Sequence, residues 1–200
     1  VPVDDQGISV EAGRRQSPNA VLAAVTPSHQ FPLGITMSLA RRLELLDWAA
    51  EANAWILEDD YDSEFRYGGK PVSALQGLDD RGRVIYVGTF SKVLFPSLRL
   101  GYVVVPEQLL APFMDMRASI DDHPALALQP VLHTFFDEGH FASHIRKQRK
   151  LYAERQGQLI QALNREASGL LSASPHDAGM HLVANINSEC GLSDQGISHL

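Results

Sequence analysis

The sequence predicts an α/β fold: a mostly parallel sheet with flanking helices, followed by part of a smaller α+β unit. Three observations predict it. Four short runs are apolar throughout, as strands covered on both faces must be. Stretches with helical apolar spacing lie between and after them. Two of the runs lead straight into polar clusters rich in carboxylate, hydroxyl and amine, at the strand ends where doubly wound sheets hold their ligands.

The first twenty residues mix charge, Gly and Pro, and read as a connecting segment. Ala20 to Val25 is the first apolar strand, ended by the turn Thr26-Pro27-Ser28. Ser38 suits an N-cap, and Leu39, Leu43, Leu46 and Ala50 follow at helical spacing. Ala54-Trp55-Ile56-Leu57 is the second strand and runs into Glu58-Asp59-Asp60-Tyr61-Asp62. Val84 to Val87 is the third, followed by the polar turn Gly88-Thr89-Phe90-Ser91-Lys92. Leu100 to Val105 is the fourth, stopped by Pro106. Helices are expected over Glu107 to Met116 and Gln129 to Glu138. A longer one runs from Phe141 to about Ala167, with Phe141, Ile145, Tyr152, Leu159 and Leu163 along one stripe. At 1.5 Å per residue it would be roughly 40 Å long, enough to join two lobes. Met180 to Ile186 reads as a fresh strand. Residues 1–138 therefore belong to a large domain, and 139–200 to a linking helix and a small C-terminal domain that stops before it can close on a core.

Composition narrows the function. With 44% hydrophobic and 20% charged residues the chain is an ordinary globular one, neither disordered nor fibrous. Seventeen Lys and Arg against 24 Asp and Glu leave a net charge of −7, which repels phosphate backbones and argues against general nucleic-acid binding by this segment. The single cysteine, Cys190, excludes a disulfide framework and a multi-Cys metal knuckle. No run approaches the roughly 20 apolar residues of a membrane span, and Val1 to Asp5 lacks the features of a signal peptide. A cytoplasmic location is the expectation.

The two polar clusters bring together Asp59 and Tyr61 after one strand, and Thr89, Ser91 and Lys92 after the next, with Arg99 seven residues beyond the lysine. They match neither a Walker A loop nor a Gly-x-Gly-x-x-Gly turn. Pyridoxal phosphate would use every member of the set. Its aldehyde needs a lysine amine. Its ring nitrogen needs a carboxylate, and its phenolic oxygen a donor such as tyrosine. Its phosphate needs hydroxyls and a guanidinium, which grips phosphate in a bidentate fashion. A magnesium cluster of Asp59, Asp60, Asp62 and Glu64 is a competing reading that the lysine block outweighs, and a solvated turn is the expectation for Asp62 and Glu64. His140 and His144 have the spacing of a zinc pair but lack a third ligand, so a surface pair is expected and no metal is assigned. Trp48 and Trp55 read as core. His29 is a turn histidine near the crevice.

Three blocks in order carry a resemblance. They are Thr26-Pro27-Ser28-His29-Gln30-Phe31-Pro32; Glu58-Asp59-Asp60-Tyr61-Asp62-Ser63-Glu64-Phe65-Arg66-Tyr67; and Gly88-Thr89-Phe90-Ser91-Lys92 with Leu98-Arg99-Leu100-Gly101-Tyr102. Together they resemble the MocR-type bacterial regulators, which join a GntR-type winged helix to a fold-type I, aminotransferase-like domain that binds pyridoxal phosphate. The resemblance is strong over residues 20 to 106 and looser beyond.

The resemblance implies a fold-type I pyridoxal-phosphate-dependent transferase-like architecture. Lys92 would form the internal aldimine, Asp59 would face the pyridine nitrogen and Tyr61 the phenolic oxygen. Ser91 and Arg99, with Thr89, would hold the phosphate. Phe31-Pro32-Leu33-Gly34 stands where aminotransferases carry Asn-Pro-x-Gly, which favours the regulator branch and leaves that contact absent or to His29 or Gln30. An amine or amino acid would exchange into the aldimine at Lys92 and shift a conformational equilibrium read by the DNA-binding module. DNA would be touched only through a winged helix outside this chain. The phosphate-cradling Gly-rich segment would precede Val1, and the arginine for the substrate carboxylate would follow Leu200. A homodimer is implied as well. The alternative is a working aminotransferase with Lys92 as general base; a lobe that has lost its cofactor is a third reading, which the intact residue set opposes.

Overall fold

A computed structural model of the chain describes residues 1–69, 72–187 and 191. Its centre is a four-stranded sheet whose strands lie side by side in chain order. The strands are β3 (Leu22–Val25), β4 (Trp55–Asp60), β5 (Val84–Thr89) and β6 (Gly101–Val104). β3, β4 and β5 run parallel, with Leu22 opposite Trp55 and Ile56 opposite Val84. β6 returns antiparallel, with Thr89 opposite Gly101. This is the mostly parallel sheet that the apolar runs predict.

The opening residues are more ordered than a connecting segment. They form a small hairpin, β1 (Val3–Asp4) with β2 (Gly7–Ile8), and the helix α1 (Val10–Gln16). The Ser9 hydroxyl caps α1 by accepting from the Ala12 amide at 3.3 Å. Ser38 does the same for α2 (Leu39–Glu51), accepting from Arg41 N at 3.3 Å. One core lies between these helices and the sheet, built on Val10, Leu45, Trp48, Ile56 and Val84.

The buried face of α2 is not the expected stripe. Leu39 and Leu43 are exposed, while Arg42, Leu45, Trp48 and Ala49 are buried. The helix is rotated because Arg42 has work inside: its Nε, Nη1 and Nη2 donate to the carbonyls of Met37, Ser73 and Pro27 at 2.8–3.0 Å. These groups finish loops that no strand partner satisfies. Trp48 is core as expected; Trp55 is half-buried, with the Arg83 guanidinium 5.1 Å above its ring.

After the short helix α3 (Leu75–Leu78) and β5–β6 come α4 (Glu107–Asp121), α5 (Gln129–Asp137) and the 27-residue α6 (His140–Glu166). α6 matches the long helix read from the sequence. Its Ile145 is buried with Phe65 and Val93, and Phe141 and Tyr152 pack around them in a second core; Leu159, expected on the same stripe, is exposed. The antiparallel pair β7 (Leu171–Ala173) and β8 (Ala184–Ile186) follows. β8 is the late part of the strand expected from Met180, and β7 carries no apolar signal of its own. Among the described residues no helix is long and apolar enough to cross a membrane. Cys190 lies outside the described residues.

Candidate functional site

Glu58, Asp59 and Asp60 of the acidic cluster are the last three residues of β4, and Tyr61 and Asp62 follow it. Strand alternation therefore sorts the three. Leu57 and Asp59 face a cavity of about 760 Å³, which Tyr61 and Asp62 just beyond the strand also line, while Glu58 and Asp60 are buried on the other side. The four carboxylates of the magnesium reading do not converge. Asp60 accepts from the Tyr86 hydroxyl at 2.6 Å and from Ser63 N at 3.1 Å, and Asp62 is engaged elsewhere. Asp62 is also not a solvated turn residue: it is 1% exposed. Glu64 is half-buried, which raises its carboxyl above the ordinary value.

Lys92 lines the same cavity as Asp59 and Tyr61. It sits in the turn after β5, and the next residue fixes that turn: Val93 is buried and its carbonyl accepts from His144 Nε2 at 2.8 Å. His144 thus anchors the lysine turn from α6. His140 is exposed and pairs with Glu138 at 3.0 Å, so the surface-pair reading describes His140 but not the half-buried His144. Thr89, Ser91 and Arg99 are not among the residues that line the cavity. Their backbone is brought together at the turn that carries Lys92. The β5–β6 ladder sets Thr89 against Gly101, Phe90 N donates to Leu100 O at 3.0 Å, and Ser91 N donates to the Thr89 hydroxyl at 3.2 Å. Arg99 takes the left-handed conformation (φ 52°) where the one-turn helix Pro96–Leu98 ends, and is exposed.

The electrostatics suit the cofactor read from the sequence. Burial, and then the charges of Asp62, Asp59 and Asp60, push the Tyr61 phenol well above its ordinary value, so it keeps its proton and donates. Its hydroxyl points to the His29 carbonyl at 2.9 Å. Burial and the charge of Asp60 push the Asp59 carboxyl up. No cation pairs with Asp59 among the described residues, and a protonated ring nitrogen is the kind of group that would favour its charged form. An amine, a free carboxylate and a protonated phenol in one cavity are a donor set that pyridoxal phosphate fits.

Sequence reasoning missed the far wall. His29 is 1% exposed, and its Nδ1–H donates to Asp62 Oδ2 at 2.9 Å. Met180 N donates to the same oxygen at 3.3 Å. The segment before β8 is laid along the Phe65–Gly68 loop, with Tyr67 OH donating to Gly179 O at 2.6 Å and Gly179 N to Phe65 O at 2.7 Å. That brings Met180 and His181 into the cavity wall. The His181 ring lies 4.3 Å from that of His29, and its Nε2 donates to Pro32 O at 3.1 Å. Only the turn position of His29 could have signalled any of this.

A four-stranded mostly parallel sheet, a lysine turn after one strand and a carboxylate on its neighbour define a fold-type I, aminotransferase-like domain. Residues 8–198 match the aminotransferase class I and II family, and the chain belongs to it. The probable rhizopine catabolism regulatory protein MocR of Rhizobium meliloti is 49% identical over 184 residues, which cover 92% of this chain and 37% of that protein. The uncharacterized HTH-type transcriptional regulator YdeL of Bacillus subtilis is 42% identical over 93% of this chain and 40% of its own length. Among solved structures, LysN, the α-aminoadipate aminotransferase of Thermus thermophilus complexed with N-(5'-phosphopyridoxyl)-L-leucine, superposes with a TM-score of 0.85 at 27% identity. The match covers 98% of this chain and 51% of that one. The chain spans about two fifths of the length of the curated relatives it matches.

Proposed function

We propose that this chain is the pyridoxal-phosphate-binding, effector-sensing part of a cytoplasmic transcription regulator. The observation that carries the reading is the convergence of Asp59, Tyr61 and Lys92 on one cavity at the ends of adjacent parallel strands. The regulator context is supported by relatives such as MocR and YdeL.

Bound there, pyridoxal phosphate supplies an aldehyde carbon for which Lys92 and an incoming amine compete, and a ring that accepts charge from either. The chain's own residues set the conditions. Asp59 offers its carboxylate to a ring nitrogen, and Tyr61 holds a proton for a phenolic oxygen. Thr89, Ser91 and Arg99 present two hydroxyls and a guanidinium for a phosphate. His144 and the second core keep the lysine turn in place. Residues 1–138 would be part of the large cofactor-bearing domain, and 139–200 the linking long helix with part of a small C-terminal domain. DNA contact by a winged helix elsewhere in the parent protein, and a homodimer, belong to the same proposal. A ligand would change DNA binding only through different affinities for two states of the protein.

The test uses the full-length parent protein. Reduction with borohydride in the presence of pyridoxal phosphate should leave a pyridoxyl label on Lys92, found by peptide mass mapping, and Lys92→Ala should lose it. Label on another lysine, or none, would sink the assignment. The second reading, a working aminotransferase, is favoured by the likeness to enzymes such as LysN. It requires repeated conversion of an amino acid to its oxo acid, whereas the sensor stops at reversible binding.

A further inference from the structure

A second cavity of about 390 Å³ lies behind the wall of the first, between the Ser28 loop, the Ser63–Gly69 turn and α6. Three arginines line it, Arg42, Arg66 and Arg149, with the hydroxyl-bearing Ser28 and Ser63, and none of its lining residues is acidic. In a chain of net charge −7 this is a local reversal of sign.

The three cations are not equivalent. Arg42 is fully buried, spends its nitrogens on three carbonyls and lies 3.9 Å from Glu58, so its charge is paired and its donors are committed. Arg66 makes only long contacts, Nη1 to Gly68 O at 3.4 Å and Nη2 to the Thr36 hydroxyl at 3.3 Å. Arg149 donates through Nε to the Glu64 carbonyl, and its two terminal nitrogens have no partner among the described residues. Glu64 and Asp177 are the nearby acids. Among the described residues neither Arg66 nor Arg149 has a carboxylate oxygen within 4.0 Å. The Ser28 and Ser63 hydroxyls also lack protein partners among the described residues.

The geometry points to an oxyanion site in this cavity, fitted to a phosphoryl group of a small molecule and separate from the site at Lys92. Two guanidinia with uncommitted N–H groups can each grip a phosphoryl oxygen pair. Hydroxyl donors suit the remaining oxygens, and no acidic side chain lines the cavity to repel them. The site does not depend on the cofactor reading, because none of its residues is assigned to that cofactor.

Equilibrium dialysis of radiolabelled inorganic phosphate against the full-length protein, at ionic strength held constant with chloride, tests it. Saturable binding is expected, weakened tenfold or more by Arg66→Gln and by Arg149→Gln, and largely kept by Arg149→Lys. Arg117→Gln, on α4 and away from both cavities, should leave it unchanged. Thermal midpoints in chloride check that each variant folds; should Arg66→Gln not fold, the exposed Arg149 pair of variants decides alone. Absence of saturable binding would overturn the inference. So would binding abolished by Arg99→Gln but untouched by Arg149→Gln, since the phosphate would then sit beside Lys92. Succinate bound more tightly than phosphate would overturn the phosphoryl assignment. Failure of the cofactor reading would show separately, as an unlabelled Lys92.

Discussion

At Gly179 a single added carbon would lie 1.8 Å from the His29 ring, at a backbone φ of +86° that side chains rarely adopt. The glycine is there so that the segment carrying Met180 and His181 can lie flat on the buried histidine. Gly179→Ala should therefore cost about 3 kcal/mol, combining left-handed strain with overpacking, as read from the urea midpoint. His181 gives a pH test. Burial, and next the charge of His29, hold its imidazole below the ordinary value. The unfolded chain then binds that proton more readily than the folded one, so stability rises with pH across the window. Loss should begin as pH falls through about 6.5, the unfolded value, and continue down to the lower folded value. His181→Asn should flatten that part of a plot of unfolding midpoint against pH; an unchanged slope would count against the assignment.

At the scale of elements, α2 and β4 are tied by two buried charges. Glu58 accepts from the Leu75 and Gln76 amides at 2.9 Å each, capping α3, and faces Arg42 at 3.9 Å. Burial raises the Glu58 carboxyl and lowers the Arg42 guanidinium, so each is held charged against its desolvation by the partners it has. Arg42→Met leaves Glu58 buried without its cation and removes the guanidinium from three carbonyls, of which only that of Pro27 keeps a second donor among the described residues, the Met37 amide at 2.9 Å; it should cost about 3–5 kcal/mol. A double-mutant cycle with Glu58→Gln should give a coupling energy above about 1 kcal/mol. This arrangement also shows where sequence reading reaches its limit. Apolar runs betray the strands, and Ser38 betrays the start of α2, because burial and capping leave local marks. Arg42 does not, since an arginine reads as surface until the carbonyls that need it are in place. Asp62 hides for the same reason: its partners, His29 and Met180, come from distant parts of the chain. Lys92, Asp59 and Tyr61 were legible because a strand end followed by reactive residues is itself a local pattern, whereas the His181 wall depends on a loop docking that no local spacing records.

At the scale of the whole molecule, the sheet assembles the site from two kinds of pairing. The edge that sets Thr89, Ser91 and Lys92 beside Arg99 is closed by the hairpin pairing Thr89 with Gly101. The edge that presents Asp59 needs Leu22 to find Trp55 and Ile56 to find Val84, each across a whole helical crossover. Closing the shorter loop costs less chain entropy. The corner carrying Lys92 and Arg99 is therefore expected to organise before Asp59 is placed, so the folding protein would display a lysine and an arginine before the carboxylate on the neighbouring strand. Folding and unfolding rates of the full-length protein should then give higher φ-values for truncations in the β5–β6 hairpin, such as Val103→Ala, than for Val25→Ala in β3. The turn of chain direction at Pro96–Arg99 would thus act as a timing device: anions in solution meet the basic corner of this domain before the rest of its pocket exists.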